Sequence, residues 1–206
     1  MSLVKYNNNS ISSITTAGQL ASGSLVPISE QTASGSASIE FTTGIDSTYP
    51  IYRFEFISIH PSSNATDLEF NLSTDSGSNY NVTKTTTFFR AYNYEDDGGA
   101  GLDYIGARDL AQSTGYQDIL NEISNQDKSS GCGHMYLYNP SSTTFVKHFT
   151  STTNIRYSNS GFTSFFSSNN FIAGYGNTTN SINAVKFQMS SGTFDGTIKL
   201  YGIKDS

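Results

Sequence analysis

Tryptophan is absent from the 206 residues, cysteine occurs once and proline four times. The single cysteine, Cys132, excludes a disulfide within the chain. No stretch of about 18 apolar residues occurs, which excludes a membrane-spanning helix of the usual kind. Lys and Arg number only 11 and are scattered, against 17 acids, giving a net charge of −6. A chain without a basic cluster lacks the electrostatic footprint of a nucleic-acid binder. Charged residues make up 14% of the chain, well under the roughly 25% of ordinary domains. The opening Met-Ser-Leu-Val-Lys-Tyr-Asn-Asn-Asn has no apolar core of a secretory signal. Synthesis in a cytoplasm without signal-directed export is therefore the expectation.

Ser, Thr, Asn and Gly fill the place of charge. Aromatic residues reach 13% and recur in alternating patterns, which sets the chain apart from disordered polar sequences. A length of 206 residues is compatible with one all-β domain that folds without a metal or disulfide. Residues 1–23 carry few large apolar side chains, irregularly spaced among polar ones. They read as an extended arm, and residues 24–206 as a single domain. Within the arm, Leu3, Val4, Tyr6, Ile11 and Ile14 are the expected partner-binding residues.

Alternation of apolar and polar residues marks half-buried strands. Leu25, Val26 and Ile28 suggest a first strand, with Pro27 favouring an edge position. Ile39 with Phe41, and Leu68 with Phe70 and Leu72, alternate cleanly. Tyr52, Phe54 and Phe56 share one face, after which the parity slips to Ile57 and Ile59. That strand is buried on both faces or contains a bulge. A long Thr- and aromatic-rich strand runs from Val82 to Tyr94, and Met135–Tyr138 with Phe145–Phe149 suggests a hairpin. Residues 154–170 suggest a long excursion before a short strand at Phe171–Tyr175. Val185, Phe187 and Met189 face Ile198 and Leu200 across a Gly-containing stretch, read as a closing hairpin. Tyr116, Ile119, Leu120 and Ile123 fall at i, i+3, i+4 and i+7, with Thr114 and Gln117 spaced as a capping box, and so predict one short helix. About ten strands with one short helix imply an all-β antiparallel β-sandwich of jelly-roll type.

No Gly-x-Ser-x-Gly elbow, His-Glu-x-x-His pair or phosphate loop is present. No catalytic residue, metal site or cofactor is nominated. Cys132 with His134, the three histidines His60, His134 and His148, and the acids Glu95, Asp96, Asp97 and Asp103 all read more simply as structural or solvated groups. Tyr92, Tyr94 and Tyr157 are the candidate glycan-facing aromatics, with acids close to Tyr92–Tyr94 or Tyr157–Phe166 as supporting evidence to seek.

Several stretches resemble a family of virion structural proteins from tailed phages of marine bacteria, of the cyanophage and pelagiphage kind. They are Leu-Val-Lys-Tyr-Asn-Asn-Asn-Ser-Ile-Ser (3–12), Asp-Ser-Thr-Tyr (46–49), Phe-Ile-Ser-Ile-His-Pro (56–61), Asn-Tyr-Asn-Val (79–82), Asp-Leu-Ala-Gln-Ser (109–113), Asn-Pro-Ser-Ser-Thr-Thr-Phe-Val-Lys-His-Phe (139–149) and Gly-Thr-Ile-Lys-Leu-Tyr-Gly-Ile (196–203). The resemblance implies a non-enzymatic part of the virion. The expectation is a capsid decoration protein that binds the assembled head, with the major capsid protein as partner. Closed homo-oligomers, a trimer among them, are usual for such parts. The alternative is a carbohydrate- or receptor-binding module on a tail fibre or spike.

Overall fold

The computed structural model describes residues 25–158 and 164–204. The expected arm, with Leu3, Val4, Tyr6, Ile11 and Ile14, lies outside the described residues. Among the described residues twelve strands form two antiparallel sheets. They are β1 (Leu25–Ser36), β2 (Ser38–Phe41), β3 (Ile51–Pro61), β4 (Thr66–Ser73), β5 (Lys84–Tyr94) and β6 (Ala100–Tyr104). A 3-10 turn at Gly106–Arg108 follows, and then β7 (Gln117–Ile123), β8 (Gly131–Tyr138), β9 (Lys147–Ser158), β10 (Phe165–Gly176), β11 (Ala184–Met189) and β12 (Phe194–Ile203).

The large sheet has the order β1-β12-β3-β8-β9-β10-β5-β6, and the small one β2-β11-β4-β7. The pairings are nested. β1 pairs with β12, β2 with β11, β3 with β8 and β4 with β7. Taken from the outermost inward, the pairs alternate between the large and the small sheet, and each next pair lies inside the one before in chain order. The hairpin β5–β6 and the strands β9 and β10 widen the large sheet beyond β8.

The two sheets meet through aromatic rings. Phe187 of β11 stands 5.1 Å from Phe54 and 5.3 Å from Phe56 on β3, edge to face. It also stands 6.2 Å from Phe41 and 6.3 Å from Phe70 within its own sheet. Phe70 in turn meets Phe149 of β9 at 4.9 Å. All six rings are at most 1% exposed. Edge-to-face pairs add about 0.5–1.5 kcal/mol each beyond their buried area.

Two bulges explain where parity slips. On β3 the register shifts between Phe56 and Ile59, with Ser58 at φ 53°. Ile57 therefore turns outward while Ile59 returns to the core, so a bulge and not two-sided burial accounts for that strand. On the facing strand, Gly196 at φ 138° makes the matching shift between Asp195 and Thr197. A Cβ there would meet the Ser58 carbonyl oxygen at 2.9 Å.

Three expectations are corrected. The helix at Tyr116–Ile123 is instead strand β7. Its register against β4 slips between Thr66 and Leu68, where Asn121 and Glu122 oppose Asp67, and Glu122 adopts φ 58°. A second shift lies between Leu68 and Glu69, where Ile119 is the extra residue. Together the two shifts put Ile119, Leu120 and Ile123 all inward, which reproduces helical spacing in a strand. The closing hairpin is also absent. β11 lies in the small sheet and β12 in the large one, so residues 190–193 arch from one layer to the other. Gly196, within the Gly-containing stretch read as the turn, is instead part of the bulge inside β12. Finally, the excursion over 154–170 is mostly strand. β9 runs on to Ser158, and β10 begins at Phe165 and has twelve residues.

Candidate functional site

β7, the edge of the small sheet, crosses over β9 and β10. The inner face of the large sheet beyond it is only half covered. On β5 the inward positions change along the strand, from buried Lys84, Thr86 and Phe88 to half-buried Arg90, Tyr92 and Tyr94. The first three are sealed by residues 105–113, which run beside β5. The Ile105 N–H donates to the Phe88 carbonyl and the Thr86 N–H to the Leu110 carbonyl. The Asp109 carboxylate accepts from the Phe88 N–H at 2.7 Å. Among the described residues no such segment covers the last three.

Register builds an aromatic ledge there. Phe166 lies opposite Tyr94 on one side and Tyr157 on the other. Its ring is 4.7 Å from Tyr157, 5.0 Å from Tyr94 and 5.8 Å from Tyr92, and Tyr92 meets Tyr94 edge-on at 6.0 Å. The Arg90 guanidinium stacks over Tyr92 at 5.4 Å and Phe166 at 6.0 Å. The three tyrosines nominated from sequence thus converge on one hub, Phe166. Acids stand beside them as sought. Arg90 lies 3.6 Å from Asp103 and 3.8 Å from Glu122. Burial, and then the charge of Glu122, push the Tyr157 phenol above its ordinary range.

Those acids belong to a structural network. Arg108 reaches Asp67 at 2.7 Å and Asp118 at 2.8 Å, and Glu122 lies 3.8 Å from both arginines. Burial, followed by the nearby Asp67 charge, raises the Asp118 carboxyl. Each carboxylate is tied to a guanidinium, so the arrangement organises the β4–β7 edge and leaves no acid pair free for proton transfer. What the ledge does offer is stacking area with a cation and hydroxyls at its rim, a surface suited to the apolar face of a sugar ring.

The outer face of the large sheet carries two further features. A shallow dent of about 300 Å³ is lined by Thr85, Thr87, His148, Thr150 and Tyr175 around the small Ala173. Next to it, at the β6 edge, Phe89 stacks on Phe171 with ring centres 5.0 Å apart and planes within 12°. Leu102 is 72% and Tyr104 65% exposed beside them. The Tyr104 hydroxyl donates to Asp109, and that bond raises the phenol.

The remaining sequence candidates are dispersed. Cys132 is exposed on β8 as a free thiol. His134 lies two residues along that strand, packed edge-on against Tyr136 at 5.1 Å and held below its ordinary pKa by burial and Arg53. His60 Nδ1 contacts the Ser129 carbonyl at 2.6 Å, and His148 packs on Tyr175 at 6.0 Å. Among the described residues no histidine pairs with a carboxylate, and no three His, Cys, Asp or Glu side chains gather as metal ligands. Glu95 pairs with Arg156 at 2.9 Å, and Asp96 accepts the Gly98 N–H at 2.9 Å. Sequence reading missed Arg90 and Glu122 as members of the ledge and Leu102 and Tyr104 as an exposed patch. The alternation along β5 and β6 marks the right faces, but only the sheet register brings them side by side. No family model, no curated protein and no solved structure matches this chain.

Proposed function

We propose that this protein is a virion structural component, a non-enzymatic decoration protein that binds and stabilises an assembled phage head. The reading rests first on the resemblance carried by residues 3–12, 139–149 and 196–203. The nested pairing of β1 with β12 through β4 with β7 supports a jelly-roll reading of the sandwich, an architecture common in capsid domains. The observation that counts most is the exposed apolar patch Phe89, Leu102 and Tyr104 on a rigid sheet edge. Such a patch marks a surface for assembly with other virion proteins, copies of this chain included. A decoration protein acts by binding the assembled state better than the dissociated one, and needs no catalytic group for that. Heads lacking the protein, incubated with purified full chain, should saturate at a fixed ratio and resist heat better; absence of binding overturns the reading.

The ledge favours one second reading. Tyr92, Tyr94 and Tyr157 around Phe166, with Arg90 above them, form a stacking platform for a saccharide on a tail fibre or spike. A glycan array separates the two. Glycan binding lost in Tyr92→Ala, with no binding to heads, selects the second.

A further inference from the structure

The large sheet ends at β6, and no strand pairs with its outer side among the described residues. An open edge exposes unpaired backbone N–H and C=O groups and invites another strand. Here the invitation is reinforced by apolar side chains. Leu102 and Tyr104 project from β6 with 72% and 65% exposure, and Phe89 adds 40% from the neighbouring strand. The surroundings are acidic. Glu95, Asp96 and Asp97 form the β5–β6 loop, Asp103 lies on β6 and Asp109 just beyond it.

The chain contains a segment of matching character. Residues 1–24 hold Leu3, Val4, Tyr6, Ile11 and Ile14 among Asn, Ser and Thr, with one charge, Lys5, and no acid. They lead into β1, which is the opposite edge of the same sheet. Reaching β6 of its own chain means crossing seven strand spacings, roughly 34 Å at about 4.8 Å each. With residues 3–14 paired, only the ten residues 15–24 would span it, about 34 Å fully extended and so with no slack. In a neighbouring copy placed edge to edge, however, β6 stands directly beside the start of β1 and no crossing is needed.

We infer that residues 3–14 of one copy add as a strand to the β6 edge of the next, covering Phe89, Leu102 and Tyr104, and so link copies head to tail. Backbone pairing supplies the attachment, the apolar residues fill the patch, and Lys5 meets the acidic loop. A head-to-tail contact of this kind closes into a ring when the rotation permits. The inference rests on the decoration reading and gives its adhesive patch to a neighbouring copy, so that contact with the head falls to other surfaces.

The test uses full-length chains in which Cys132 is replaced by Ser. One population carries Tyr6→Cys or Ile11→Cys, the other Leu102→Cys. Mixed and mildly oxidised, they should form a disulfide dimer between the two populations. The same arm variants mixed with Lys199→Cys, at the far side of the sheet, should not. In parallel, Leu102→Asp with Tyr104→Asp should lower the oligomeric mass measured by light scattering and leave the far-UV spectrum unchanged. Absence of the mixed dimer, linkage equal at Lys199→Cys, or an unchanged oligomer in the Asp variant overturns the inference. Head binding that persists in the monomeric Asp variant preserves the decoration reading and separates the two outcomes.

Discussion

Asp67 holds Glu122 in a left-handed conformation. Its Oδ1 accepts the Glu122 N–H at 2.7 Å and the Asn121 amide at 3.0 Å, while Glu122 sits at φ 58°. Its Oδ2 takes a charge-assisted bond from Arg108 at 2.7 Å. Left-handed backbone costs an L-residue about 1–2 kcal/mol, and the carboxylate offsets that cost. Asp67→Ala leaves the half-buried Glu122 N–H, the buried Asn121 amide and a guanidinium short of a partner. It should destabilise the fold by about 2–4 kcal/mol in urea titration. Asp67→Asn keeps an acceptor for the bulge and should cost less. Equal losses for the two variants contradict this account of the bulge.

Phe187 is the ring on which the two sheets converge. Phe187→Ala should cost about 3–5 kcal/mol and Phe187→Leu clearly less, since Leu refills most of the volume. Thermal unfolding of both variants checks the order.

Lys84 is fully buried, its Nζ donating to Asn71 Oδ1 at 2.5 Å and to the Val82 carbonyl at 2.9 Å. Burial pushes its pKa down to about 7. The sign follows from proton counting. Between about pH 7 and the ordinary lysine value of 10.5, the unfolded chain holds a proton on Lys84 that the folded one releases, so stability from this group rises with pH. Below about 7 both states are protonated and the desolvation penalty is present in full. Urea midpoints at pH 6, 7, 8 and 9 should therefore rise more steeply in the wild type than in Lys84→Met. Parallel profiles contradict the assignment.

Gly196 and Gly35 separate strain from crowding. Both have positive φ, 138° and 59°. A Cβ at Gly196 meets Ser58 oxygen and Ile59 within 3.0 Å, whereas at Gly35 nothing lies within 4 Å. Gly35→Ala should cost about 1–2 kcal/mol, the left-handed penalty alone. Gly196→Ala should cost more, with loss of the β3–β12 bulge detectable by hydrogen exchange at Ser58 and Ile59.

Local alternation made β2, β4 and most of β3 legible, because Ile39 with Phe41, and Leu68 with Phe70 and Leu72, obey period two and face one core. Pro27 marked β1 as an edge for a backbone reason, its missing donor, and β1 is an edge. β7 was misread because two extra residues, one at Ile119 and one at Asn121–Glu122, convert strand parity into helical spacing. The link 190–193 was misread because a four-residue connection between alternating strands looks the same whether it turns within a sheet or arches between two. Tyr92 and Tyr94 could be paired from their own strand. Their meeting with Tyr157 and Phe166 depends on the β5–β10–β9 register, which no local pattern carries.

The most direct test of the decoration reading is the amount of full-length protein bound by assembled heads that lack it, measured by sedimentation across a concentration series. The account predicts saturation at a fixed copy number per head and a higher temperature of head disruption once saturated. Heads that bind none, or bind in proportion to concentration without saturating, contradict it.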